Sequence, residues 1–250
     1  MRDHTLTLTS IGHISEINRY PVKSFAGETL QTSLIESYGL YGDRLHAFID
    51  ETKEGWSRYY TARQAPSMLS YKTQLIGEDS GERAPHVRVT SPDGRIFNWD
   101  EALLREIQAF SKRKLSMLTC KPEASELAAV DTGSILIITD STLRKLEAMW
   151  GKRLDPRRFR ANLVVTLDDE SIHEGDWIGK QLSVGSAQLQ VDQYCERCMM
   201  ITIDPDTLEP DKSLLKKVNE ELGLNFGVYA SVKRTGQIHV WDNVFVAKGS

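Results

Sequence analysis

Three cysteines in 250 residues are too few for a disulfide framework, and an odd count leaves one over. The chain has no run of about 18 apolar residues, so a membrane-spanning helix is not expected. Met1-Arg2-Asp3-His4-Thr5-Leu6 lacks the apolar stretch of a secretory leader. Together these absences predict a cytoplasmic protein without a membrane partner. Basic excess is also missing: 31 Lys and Arg face 35 Asp and Glu, for a net charge of -4. A general nucleic-acid binder is therefore not expected, and each basic cluster has to be judged by itself. No Gly-x-Ser-x-Gly elbow, Gly-x-Gly-x-x-Gly fingerprint or P-loop occurs, which leaves serine hydrolase, dinucleotide and nucleoside-triphosphate readings without support.

What is present is the composition of a folded chain, 40% hydrophobic and 26% charged. Short strands separated by turns dominate its patterning. Clear strand candidates are His13–Ile17, Leu45–Ile49 and the pair Val87–Thr90 and Arg95–Phe97 around Pro92-Asp93-Gly94. Thr61-Ala62-Arg63-Gln64-Ala65-Pro66 reads as a loop. Asp100 caps a predicted helix with Leu103, Leu104, Ile107 and Phe110 on one face. An apolar strand over Ser134–Thr139 precedes a helix capped by Asp140 or Ser141 and closed by Gly151. Further strands are expected at Asn162–Thr166, Gln181–Val184, Gln188–Val191, Met200–Ile203, Val228–Val232 and His239–Trp241, with a helix over Lys212–Leu222 stopped by Gly223. The pattern predicts a mostly β chain with some α and a β-barrel core. The linker-like Lys121–Glu126 places a boundary between an N-terminal β-rich domain, residues 1–120, and a barrel domain, residues 121–250.

Four clusters can carry chemistry. Cys195-Glu196-Arg197-Cys198 has Cys-x-x-Cys spacing, but zinc needs two more ligands and no second pair exists. A redox pair of the thioredoxin kind opens a helix, whereas a strand-like run follows here. Two buried thiols in a barrel wall remain the plain alternative. Arg197 beside Cys198 favours a thiolate, and a thiolate suits a soft metal centre. Arg19-Tyr20-Pro21-Val22-Lys23-Ser24 offers a charge and a hydroxyl to an anion, or is only an exposed turn lysine. Arg157-Arg158-Phe159-Arg160-Ala161-Asn162 suits a phosphate, a nucleic acid or a solvated charge cluster. Gly42-Asp43-Arg44 adds one more arginine after a turn. His46 and His173 have no evident catalytic partner.

The motifs acquire meaning as a collinear set. Tyr20-Pro21-Val22-Lys23-Ser24, Gly42-Asp43-Arg44, Thr61-Ala62-Arg63-Gln64, Asp131-Thr132, Phe159-Arg160-Ala161-Asn162, Arg197-Cys198 through Asp204-Pro205-Asp206-Thr207, and Phe226-Gly227-Val228-Tyr229 together resemble the MOSC family, the molybdenum cofactor sulfurase C-terminal domain proteins. The closer likeness is to the amidoxime-reducing branch. This resemblance implies a MOSC-type β-barrel plus an N-terminal α/β domain of the MOSC_N kind. It also implies a molybdenum–molybdopterin cofactor with Cys198 as metal ligand and catalytic residue. Lys23, Ser24, Arg44 and Arg160 match groups that hold the phosphate and pterin. Thr132, Asn162, Arg197 and Tyr229 match further cofactor contacts, Arg63 falls in the Thr-x-Arg motif, and Cys195 matches a neighbour of the site.

Glu196 stands where relatives often carry a small polar residue, which puts a carboxylate near the metal. The membrane anchor of relatives and the plant-type iron–sulfur module of some bacterial ones are not expected here. The implied activity is reduction of N-hydroxylated compounds, hydroxylamines and amidoximes, to amines and amidines. Glu196 or Asp204 is a candidate proton relay, and electrons are expected from a separate flavin, haem or iron–sulfur carrier. The rivals are a non-catalytic carrier of the cofactor or of sulfur, and a zinc-bound structural barrel.

Overall fold

A computed structural model describes residues 8–77, 85–120 and 133–247 of the chain. Seven strands close into a barrel. In spatial order they are Leu163–Leu167, Ile135–Thr139, Asn225–Arg234, Ala187–Glu196, Gln181–Val184, Asn243–Ala247 and Leu8–Arg19, and the last pairs back onto the first. Only Ile135–Thr139 and Leu163–Leu167 run parallel among the described pairs of this barrel. A parallel pair needs a crossover, and the Asp140–Trp150 helix lies in that connection.

Ile135–Thr139 is buried along its whole length because both of its faces are covered. Ile135 and Ile137 point into the barrel with Ile14, Ile17, Leu163 and Trp177, while Leu136 and Ile138 meet Leu146, Leu214 and Val218 of the two flanking helices. The Lys212–Leu222 helix ends as its sequence predicts, with Gly223 in the left-handed region at φ 58°.

Leu8–Arg19 is hydrogen-bonded along both edges, to Leu163–Leu167 and to Asn243–Ala247, although it lies far from both in sequence. At its bulge Gly12 adopts φ +148°, and a Cβ there would stand 2.0 Å from the Thr166 carbonyl oxygen. Only glycine fits.

Most of the remaining N-terminal residues form a second core. Two three-stranded sheets, Leu115–Thr119 with His46–Asp50 and Tyr59–Tyr60, and Lys72–Ile76 with His86–Thr90 and Ile96–Asn98, enclose Phe25, Phe48, Met68 and Val89 together with Leu103 and Ile107 of the Glu101–Gln108 helix. Asp100 caps that helix as expected, accepting from the Ala102 and Leu103 amides.

Three local expectations are corrected. Met200–Ile203 is not a strand: Met199–Thr202 is a 3-10 turn. Its apolar run serves two separate cores, Ile201 packing with the helices and Ile203 with the N-terminal cluster. The Asp140–Trp150 helix is capped by Thr139, whose hydroxyl accepts from the Thr142 amide. The last predicted strand is Gly236–His239 and stops before Trp241, which turns to φ 77°. Among the described residues no helix is long and apolar enough to cross a membrane.

Candidate functional site

A cavity of about 520 Å³ is lined from both parts of the chain. Lys23, Ser24, Arg44, Arg160, Asn162, Arg197, Cys198 and Tyr229 all reach its wall. Thr132 lies outside the described residues; its neighbour Gly133 lines the cavity. The lining holds seven cationic side chains and one carboxylate, Glu196, in a chain whose net charge is -4. Such a local field selects an anion.

The phosphate-type motifs converge because their backbones take an uncommon turn. Ser24, Arg44 and Arg160 have φ of 70°, 51° and 53°, the left-handed region that non-glycine residues seldom enter. Each such residue carries strain of order 1–2 kcal/mol, and strain of this kind concentrates at functional sites. Arg160 ends the Pro156–Phe159 turn, and its Nη1 donates to the Phe25 carbonyl at 2.8 Å. Arg44 is locked from three sides: it pairs with Asp43, donates Nη1 to Asn162 Oδ1 at 3.1 Å, and donates Nη2 to the Arg160 carbonyl at 2.9 Å. Burial works against its charge, but Asp43 and Tyr20 hold the Arg44 pKa above the usual arginine value. Both guanidiniums lie against the Tyr20 ring, 4.9 Å from Arg44 and 4.2 Å from Arg160.

Asn162 is fully buried and its amide serves the protein. Oδ1 accepts from Arg44 and from the Leu136 amide, and Nδ2 donates to the Asn18 carbonyl at 3.2 Å. It positions Arg44. The three arginines of the 157–160 cluster separate in role. Arg157 bridges Asp155 and Asp206 at the surface. Arg158 ties down the loop after Cys198 through Asp204 at 2.6 Å and the Ile201 and Thr202 carbonyls. Arg158 and Arg160 both line the cavity.

The Cys-x-x-Cys pair splits. Burial alternates along it, with Cys195 and Arg197 buried, Glu196 exposed and Cys198 half-buried. An extended chain sends successive side chains to opposite sides. Arg197 is therefore turned away from Cys198, against the expectation drawn from their adjacency. Its Nη1 donates to Cys195 Sγ at 2.9 Å and its Nη2 to the Phe159 carbonyl at 2.8 Å. The cation on Cys198 comes from the N-terminal region: Arg63 Nη2 donates to its Sγ at 3.2 Å. Tyr229 stands beside Cys195, and burial together with that sulfur pushes its phenol pKa well up. Asp204 is committed to Arg158 and lines a different cavity, so of the two candidate relays only Glu196 shares the wall with Cys198.

Sequence reasoning missed several lining residues. Lys53, Trp56 and Tyr59 form an outer wall, with Lys23 Nζ over both rings at 5.7 Å and 5.3 Å. No motif marked them; Lys53 before Trp56-Ser57-Arg58-Tyr59 was the only available signal. Among the described residues no cluster of three or more His, Cys, Asp or Glu could hold a metal ion. The site's chemistry is that of a cationic cradle with a single accessible thiol.

Two family models match the chain. The MOSC N-terminal beta barrel domain matches residues 11–133 and the MOSC domain residues 125–245. Mitochondrial amidoxime reducing component 2 of Homo sapiens is 32% identical, over 95% of this chain and 84% of that protein. Mitochondrial amidoxime-reducing component 1 of Homo sapiens is 30% identical, over 96% and 84% respectively. The crystal structure of the YUAD protein from Bacillus subtilis superposes with a TM-score of 0.53 at 13% identity, covering 98% of this chain and 100% of that one, a likeness of fold. Near-full-length similarity and both domain matches place the chain in the MOSC family, in the branch of the amidoxime reducing components.

Proposed function

We propose that this protein is a molybdenum-cofactor-dependent reductase of N-hydroxylated compounds, with Cys198 as the protein's ligand to the metal. The observation that carries the reading is the Cys198 sulfur set into the wall of a cavity lined by seven cations. The cavity's residues fit such a group. A centre with one protein thiolate takes its other ligands from an organic dithiolene, and the cations suit that anion and its phosphate. Arg197 Nε is buried without a hydrogen-bond partner among the described residues, a rare state that an acceptor on a bound group relieves.

When bound, the cofactor supplies two-electron oxygen abstraction. For an amidoxime, R–C(NH2)=N–OH with two electrons and two protons gives the amidine R–C(NH2)=NH and water. The chain's own residues divide the remaining work. Lys23, Ser24, Arg44 and Arg160 hold the phosphate and pterin end, and Asn162 keeps Arg44 aimed. Arg197 and Tyr229 form the floor. Thr132 is assigned a cofactor contact by the resemblance alone. The electrons in this reading arrive from a separate flavin, haem or iron–sulfur carrier. The proposed setting is the cytoplasm, with a small N-hydroxylated molecule as partner and neither nucleic acid nor membrane.

The test is elemental and pterin analysis of protein produced with molybdate, for wild type and Cys198→Ala, with reduction of benzamidoxime by a viologen dye as the activity. Molybdenum and activity in the wild type, both lost in the variant, are expected. Equal molybdenum in both overturns the ligand assignment. A metal-free wild type with a persulfide on Cys198 makes the protein a cofactor or sulfur carrier instead, and zinc bound by both Cys195 and Cys198 makes it a structural barrel.

A further inference from the structure

Around the cavity, the neighbouring acids are tied to guanidinium groups with one exception. Asp43 is held by Arg44, Asp204 by Arg158, and Asp155 and Asp206 by Arg157. The Glu196 carboxylate makes no hydrogen bond or ion pair with any described residue, although seven cations line the same cavity. The alternation of burial along 195–198 puts Glu196 and Cys198 on one side of an extended chain. Two strand residues apart is about 6.6 Å, the span of a small planar substrate head. The same cavity carries Trp56, 54% exposed, and Tyr59, their ring centroids 5.2 Å apart. A free carboxylate, the Cys198 sulfur and an aromatic wall thus face one space.

We propose that Glu196 is a specificity-determining residue that accepts one N–H bond from the amino group of an aromatic amidoxime and two parallel N–H···O bonds from the N–C–N fork of its amidinium product. The inference rests on the reductase reading above. A carboxylate and a planar fork of two N–H donors match as they do in an arginine pair. Positive charge grows on that fork during the reaction. The N–O bond breaks, the oxygen leaves as water, and two electrons from a one-electron carrier with three protons convert R–C(NH2)=N–OH into the amidinium R–C(NH2)=NH2⁺. A fixed carboxylate favours that developing charge over the neutral ground state. Simple hydroxylamines have no second nitrogen to present. Hydroxamates present a carbonyl oxygen instead, which the carboxylate repels.

The experiment is a calorimetric titration of molybdate-grown holoprotein with benzamidinium chloride and with benzamide, its neutral counterpart. Glu196→Gln is compared with wild type and with Asp192→Asn, an exposed acid on the same strand whose only described side-chain contact is the Ser231 hydroxyl at 3.1 Å. Glu196→Gln is expected to weaken benzamidinium binding at least about tenfold while benzamide binding stays unchanged. Asp192→Asn is expected to change neither. Glu196→Gln lowers kcat/KM for benzamidoxime by a similar factor and leaves that for an N-alkylhydroxylamine in place. Equal benzamidinium affinity in wild type and Glu196→Gln, or an equal loss in Asp192→Asn, overturns the assignment even if the enzyme is active. Glu196-dependent binding in a protein that holds no molybdenum and reduces nothing overturns the reductase reading and leaves the amidinium site standing.

Discussion

The floor of the cavity around Cys195 and its rim around Cys198 are three residues apart in sequence and are built in opposite ways. On the floor, Cys195 is 3% exposed, Arg197 8% and Asn162 0%, and their polar groups serve mainly other protein atoms. At the rim, Cys198 is half-buried, Arg63, Glu196 and Trp56 are exposed, and Glu196 has no protein partner among the described residues. A buried, hydrogen-bonded network is rigid, and that rigidity holds the cations in one geometry while leaving Arg197 Nε to a bound group. An open rim with unmatched groups is where a ligand finds its bonds. Structure resides in the floor and chemistry in the rim, although both present a cysteine and an arginine.

The sharpest way to break that contrast is to exchange the sulfurs. Cys198→Ser is expected to abolish molybdenum retention and reductase activity while leaving the unfolding midpoint of the apoprotein within about 0.5 kcal/mol of wild type. Cys195→Val is expected to do the reverse. It retains the metal but strands the Arg197 Nη1 donor in a buried site, costing about 1–3 kcal/mol by urea denaturation. Cys195→Ser keeps an acceptor for that donor and costs less than Cys195→Val. Metal lost in a Cys195 variant of wild-type stability would show that the floor sulfur is also a ligand.

The cavity's motif residues were more legible in the sequence than its outer wall of Lys53, Trp56 and Tyr59. The motif residues Lys23, Ser24, Arg44, Arg160 and Cys198 line one cavity. The Lys212–Leu222 helix and the turn at Pro92-Asp93-Gly94 were also readable, because caps and turns are local. The partner of each sulfur was not. Arg63 and Cys198 meet across 135 positions, and adjacency wrongly gave that task to Arg197. A period of two, read as burial at 195 and 197, corrects it. The left-handed turns at Ser24, Arg44 and Arg160 carried no glycine to announce them. Nor does anything local show that Leu8–Arg19 completes a barrel whose other strands begin at Ile135.

A smaller effect tests whether the floor's network acts on the rim. Asn162→Ala removes the acceptor of the buried Leu136 amide and one of Arg44's anchors. The expected loss is about 1–3 kcal/mol of stability, since a buried donor is left unmatched. Weaker cofactor retention should accompany it, because Arg44 gains freedom. Urea denaturation and molybdenum content measured on one preparation separate the two consequences. A stability loss with unaltered metal retention would mean that Asp43 and the Arg160 carbonyl suffice to aim Arg44.

The smallest expected change is at the rim itself, in Arg63→Ala. Arg63 is exposed, so its removal should leave stability within about 0.5 kcal/mol of wild type. Its guanidinium donates to the Cys198 sulfur at 3.2 Å. A positive donor on a ligating sulfur stabilises the more electron-rich, reduced centre. Arg63→Ala should therefore lower the reduction potential of the loaded enzyme by roughly 30–60 mV for a one-electron step, the equivalent of a net hydrogen bond of about 1 kcal/mol. Arg63→Lys keeps the charge but loses the planar fork, so its potential should fall between the two. Dye-mediated potentiometry monitored by electron paramagnetic resonance reads the difference directly. An unchanged potential in Arg63→Ala would mean that the arginine leaves the sulfur when the cofactor binds, and the rim would then owe its chemistry to Cys198 and Glu196 without it.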